Sequence, residues 1–169
     1  MSNNREIINE IANKFPKLVR QEQNAAEKAA GAVGLQLLNF CANGSPNESV
    51  QPPIDTGYLR GSGSVFVNGK HISSTPPVNG QGEPLESFST SIIDNEYAID
   101  IIYNTEYAAR MHEGDWIPGG KVPSKASKNN PAILQNVGNK WIEKHLLADG
   151  EDLIMLFGNR MFKYFFSRG

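Results

Sequence analysis

Apolar residues along this chain follow a helical period at both ends and a period of two in the middle. Ile7, Ile8, Ile11 and Phe15 recur at helical spacing, which predicts a short amphipathic helix capped by Ser2 or Asn3. Pro16 resets the pattern. Proline lacks an N–H and is tolerated in a first helical turn, so a second, long helix is predicted from there toward Asn43-Gly44. Its buried stripe reads Ala26, Ala30, Val33, Leu37 and Cys41, mostly small side chains. Gly31 and Gly34 within it each cost about 1 kcal/mol relative to alanine. Close packing would have to offset that, either inside the domain or against another subunit.

Gly44 to Pro53 is polar, has no period and reads as an exposed connector. The period then becomes two. Val65-Phe66-Val67, Asn68-Gly69 and Lys70-His71-Ile72 predict a tight hairpin, because both central turn residues need positive φ and Asn-Gly adopts it readily. Phe88, Thr90 and Ile92, a turn at Asp94-Asn95, then Tyr97, Ile99, Ile101 and Tyr103 predict a second hairpin. Between the hairpins, Ser73 to Glu86 reads as a long loop.

Asn104 or Thr105 is placed to cap a short helix with Tyr107, Ala108 and Met111 on its inner face and Glu106, Arg110 and Glu113 outward, ended by a left-handed Gly114. A second long loop, Asp115 to Asn130, carries Lys121, Lys125 and Lys128 and is locally basic. Val137, Trp141, Ile142 and Leu146 outline a further helix. Asp149 with Asp152 resembles a capping box for a last helix with Leu153, Phe157, Met161, Tyr164 and Phe165 on its apolar face, so two helices should meet at Asp149-Gly150.

Strands grouped between helical ends predict an α+β fold: an antiparallel β-sheet of about four strands in two hairpins, packed against a long N-terminal helix and C-terminal helices. The 169 residues suit a single domain, with N-terminal helices over 1–43, sheet and long loops over 44–130, and C-terminal helices over 131–169. A net charge of −2 provides no global basic field, which argues against sequence-specific DNA binding. The lone Cys41 excludes an intrachain disulfide and fits a reducing cytoplasm. With no apolar run near membrane-spanning length and no basic-then-apolar start, the chain is expected to be soluble, to avoid membranes and not to be exported by a signal peptide.

The candidate chemistry is sparse. His71, His112, His145 and Cys41 show no short paired spacing, so no metal or cofactor is expected. His112-Glu113 suggests an acid–base pair, but neighbouring helical residues do not face each other, and His112 is expected on a surface or interface. Gly61-Ser62-Gly63-Ser64 lacks the Lys-Ser/Thr of a phosphate loop, and Gly61-Ser62-Gly63 is one residue short of a nucleophile elbow. No catalytic residue is therefore expected. The three loop lysines are candidates for contact with a partner or, less favourably, DNA.

Two segments resemble the small head-tail joining, or tail-completion, proteins of long-tailed bacteriophages. Pro53-Ile54-Asp55-Thr56-Gly57-Tyr58-Leu59-Arg60-Gly61-Ser62 is similar to that family's Pro-Val-Asp-Thr-Gly-x-Leu-Arg-x-Ser, and Tyr107-Ala108 with His112-Glu113-Gly114 is similar to its Tyr-Ala-x-x-x-(Glu)-x-Gly. In the first, Asp55 is placed to cap a turn containing Thr56 and Gly57, Leu59 to pack inward, and Arg60 to reach a carboxylate or carbonyl. The resemblance implies a non-enzymatic virion protein forming a homo-oligomeric ring of six or twelve copies in the neck. Its partners would be portal and connector proteins on the head side and tail terminator, tube or sheath proteins on the tail side. DNA would pass through the lumen. A monomeric binding module, or a small hydrolase using His112 and Glu113, is the alternative.

Overall fold

A computed structural model describes residues 2–52, 59–74, 88–94, 97–114 and 138–168, with 2–7, 74 and 88–94 described by backbone alone. The chain opens on one uninterrupted helix, α1 (Ser2–Asn43), with Pro16 inside it. The predicted reset at Pro16 does not occur. Residues 8–18 are all exposed, so the carbonyl left without a partner by the missing proline N–H is open to water, and the helix continues. Beyond that stretch the buried stripe runs through Ala25, Ala29, Val33, Leu37 and Cys41, with Leu38 beside it, while Ala26 and Ala30 are only half-buried.

A 3₁₀ turn at Arg60–Ser62 leads into β1 (Gly63–Val67), followed by β2 (Lys70–Ser74), β3 (Phe88–Asp94) and β4 (Tyr97–Tyr103). They form one antiparallel sheet in the order β2-β1-β4-β3. The two predicted strand pairs are present, and β1 and β4 join them at the centre. Asn68 (φ 50°) and Gly69 (φ 75°) both take positive φ, as the Asn-Gly turn requires. Asn68 also exchanges bonds with β4: its N–H donates to the Ala98 carbonyl and its Oδ1 accepts the Ala98 N–H, both at 2.9 Å. One turn residue thus ties the first hairpin to its neighbour.

Gly63, Val65, Val67, Ile99, Ile101 and Tyr103 are buried on the face of the sheet that meets α1. A Cβ on Gly34 would stand 2.5 Å from Val65 Cγ1 and 2.8 Å from Ile99 Cγ2, so the glycine sets how close α1 lies to the sheet. Here packing within the chain accounts for the glycine.

After β4 comes α2 (Ala108–Glu113). Neither Asn104 nor Thr105 caps it by a side chain; the Ala108 N–H bonds the Thr105 carbonyl, and Gly114 leaves in an extended conformation (φ −68°) rather than left-handed. The C-terminal part is one helical run. It comprises α3 (Trp141–Asp152), a wider π-helical stretch (Leu153–Gly158) and α4 (Asn159–Phe166). The junction predicted at Asp149-Gly150 lies inside α3. Leu153 is buried and Phe157, Met161 and Phe165 are half-buried, whereas Tyr164 points outward. The end of α4 is held on α1 by the Gln21 amide, which donates to the Phe166 carbonyl at 2.7 Å.

No helix among the described residues is long and apolar enough to cross a membrane. Of the long loop expected from Ser73 to Glu86, Ser73 and Ser74 belong to β2 and the rest lies outside the described residues, as does the whole of the loop expected from Asp115 to Asn130.

Candidate functional site

Of the residues singled out in sequence, Leu59 and Arg60 lie just ahead of β1, and Tyr107, His112, Glu113 and Gly114 lie on and beside α2. Leu59 is buried, and the Ser62 N–H and hydroxyl both return to its carbonyl, at 3.1 and 2.8 Å. The Arg60 guanidinium donates to the Pro52 carbonyl at 2.9 Å, fulfilling the expectation of a carbonyl partner. Burial pulls its pKa below the ordinary value. Gly63 pairs with Tyr103, and the Asn104 N–H reaches both the carbonyl and the hydroxyl of Ser62 at 3.2 Å. The end of the first segment is therefore bonded to Asn104, which precedes the second segment beginning at Tyr107. Asp55, Thr56 and Gly57, with Lys121, Lys125 and Lys128, lie outside the described residues.

Tyr107 stands at the start of α2, partly exposed, its carbonyl accepting the Met111 N–H. His112 corrects the expectation of a surface histidine: its side chain is 0% exposed. Its carbonyl accepts the Lys140 N–H at 2.7 Å, and the Asn139 amide donates to the Gly114 carbonyl at 2.9 Å, fastening α2 to the start of α3. Lys140 takes a left-handed conformation (φ 50°) at that junction. The ring of Trp141 stands edge-on to both His112 and Tyr103, with centroids 4.5 and 5.7 Å apart.

Carboxylates approach both imidazole nitrogens. Nδ1 lies 3.0 Å from Glu113 Oε1 and Nε2 lies 2.8 Å from Glu143 Oε2. Adjacent residues do meet here, because α2 ends at Glu113 and its side chain folds back along the ring. Lys140 Nζ is 3.8 Å from the other Glu113 oxygen. Burial lowers the His112 pKa, and its hydrogen bond to the Glu113 carboxylate and the charges of both glutamates oppose that only in part. His112, Glu113 and Glu143 offer ligand atoms within 4.8 Å of one another. Glu143 was not visible in the sequence as a partner, since only the packing of α3 against α2 brings it there.

A second polar cluster was also missed. Asp149 is buried and accepts from the Ser45 hydroxyl and, at 2.7 Å, from the Asn47 amide, so it anchors the connector instead of capping a helix. His145, fully buried, donates from Nε2 to the Val50 carbonyl at 2.8 Å. The segment read as an exposed connector is thus stitched to α3. The i, i+4 spacing of His145 and Asp149 was the available signal.

In the core, burial pushes the Cys41 thiol up to about 12, with the neighbouring Tyr103 hydroxyl opposing in part. The Tyr103 phenol is likewise held well above its usual value, first by burial. Comparison of this chain with protein-family models, curated proteins and solved structures gave no match in any of the three.

Proposed function

We propose that this chain is a structural, non-enzymatic subunit of a tailed-bacteriophage neck, a head-tail joining or tail-completion protein working as one copy in a homo-oligomeric ring. The ring would sit between portal or connector proteins and the tail terminator, tube or sheath, with DNA threading its lumen without sequence-specific contact. It would assemble in the host cytoplasm and remain in the virion. The observation that supports this reading is the first motif segment: Leu59 packs inward and the Arg60 guanidinium reaches the Pro52 carbonyl, while Ser62 at its end is bonded to Asn104, just ahead of the second segment.

A further support is the start of α1. Ile8, Ile11, Phe15 and Leu18 are 52–64% exposed and spaced for one helical face, an arrangement suited to an assembling subunit. Mass measurement of the purified chain and immunodetection in phage particles test the reading. Oligomers of six or twelve copies, with the chain retained in particles, are expected; a stable monomer missing from particles would sink it.

One observation favours the hydrolase alternative, the convergence of Glu143 from a distant element on His112-Glu113. That reading requires plaque yield to collapse in a folded Glu113→Gln, Glu143→Gln variant. A normal yield removes it.

A further inference from the structure

We propose that the leading part of α1 pairs with the same part of a second copy of this chain, the two helices running antiparallel about a two-fold axis beside Asn13. This inference does not depend on the neck reading. A two-fold contact joins copies in pairs, whereas ring contacts close by rotation, so the pairing is separate from any ring contact.

Ile8, Ile11, Phe15 and Leu18 are separated by three, four and three residues, the seam of a coiled coil, and all four are exposed. A second helix is the shape that such a seam accepts. Further along α1 one is already in place. Ala29 and Val33 lie eighteen residues, or five turns, beyond Ile11 and Phe15 and therefore on the same side of the helix. Both are buried, and a Cβ on Gly158 of the C-terminal run would stand 3.3 Å from Val33 Cγ2. That run ends beside Gln21, whose amide holds the Phe166 carbonyl, and the exposed seam continues α1 beyond it. Pro16 falls on the side of the helix away from the seam and leaves it unbroken.

Charge selects the occupant and its direction. Glu10, Lys14 and Lys17 follow one flank of the seam, acidic first and basic after, while Ala12 and Val19 follow the other. In a parallel pair the charged flank would face the uncharged one, and its charges would gain nothing. An antiparallel pair sets charged flank against charged flank. With Ile8 facing Leu18 of the second copy and Ile11 facing Phe15 of the second copy, Glu10 comes beside Lys17 of the second copy, and symmetry repeats the contact. The bond from Lys14 to Glu10 within one copy then becomes part of a network across the pair. Such a seam buries on the order of 1,000 Å² in total, the lower end for a specific contact, so the pair should form only at micromolar concentrations and above.

The test uses the full chain, by sedimentation equilibrium and by crosslinking of native protein with a short bismaleimide, to which the fully buried Cys41 is closed. A concentration-dependent association of copies is expected. Ala12→Cys, beside the axis, should crosslink two copies. Val19→Cys should not, because its two copies would stand about 18 Å apart along the helices. Glu10→Lys, and separately Lys14→Glu with Lys17→Glu, should each weaken association about 3–10-fold. The three changes combined should restore it, a rescue that only self-pairing can give, and all three positions are exposed, so folding is spared. A chain that stays monomeric at millimolar concentration, equal crosslinking at the two positions, or a combined variant as weak as its parents would overturn the pairing. Rings of six or twelve copies without the Ala12→Cys crosslink would overturn it and leave the neck reading intact. A crosslinked dimer that grows no further would support it and count against that reading.

Discussion

A single missing methyl group sets the distance between α1 and the sheet. The clash that a Gly34 Cβ would make involves Val65 and Ile99, β-branched side chains held in central strands. Gly34→Ala is therefore expected to lose about 1–3 kcal/mol by overpacking, only partly offset by better helix propensity. Gly31 differs: its Cβ would meet Ile72 Cγ2 at 3.3 Å, so Gly31→Ala should be close to neutral. Urea melts of the two variants, read against each other, decide this; equal effects would contradict it. Cys41, with its thiol raised from 9.0 to about 12, should resist iodoacetamide at pH 8 in the native protein and react fully in denaturant. The sign of the linkage follows. A raised folded pKa means stability present below pH 9 and lost as pH climbs from 9.0 toward about 12, which alkaline melts of the wild type against Cys41→Ala would reveal.

At the scale of elements, the strands were legible and the helix boundaries were not. The Asn68-Gly69 turn and the alternation of Tyr97, Ile99, Ile101 and Tyr103 are local properties, and local sequence was enough to read them. Pro16 and Asp149-Gly150 are local signals too, but distant circumstances override them: solvent around residues 8–18 in one case, the Ser45 and Asn47 partners of Asp149 in the other. The same holds for the candidate site. His112-Glu113 could be noticed, whereas Glu143 arrives only through the docking of α3, so burial of the imidazole was invisible. Asp149→Ala is expected to cost about 1–3 kcal/mol and to open 45–52 to proteolysis, while Asp152→Ala, at an exposed position, should be nearly silent. Matching losses from the two would restore the capping-box interpretation.

Across the whole molecule, α1 has two parts in succession, an exposed one and a core-forming one. Its 42 residues span about 63 Å, and its described side chains are buried only from Ala25 onward. Replacing Ile11 and Phe15 together by serine should leave the melting temperature within about 2 °C, as exposed positions contribute little to stability, but should cut oligomer formation. A drop in melting temperature with unchanged assembly would count against the proposed contact. Lys14, Lys17 and Arg20 fall in the leading part of the helix, ahead of every core-forming residue of α1. A tryptic cut there would remove the exposed apolar face and spare every buried residue of α1, so under the proposed role a cell's proteases could disarm the protein for assembly without touching its core.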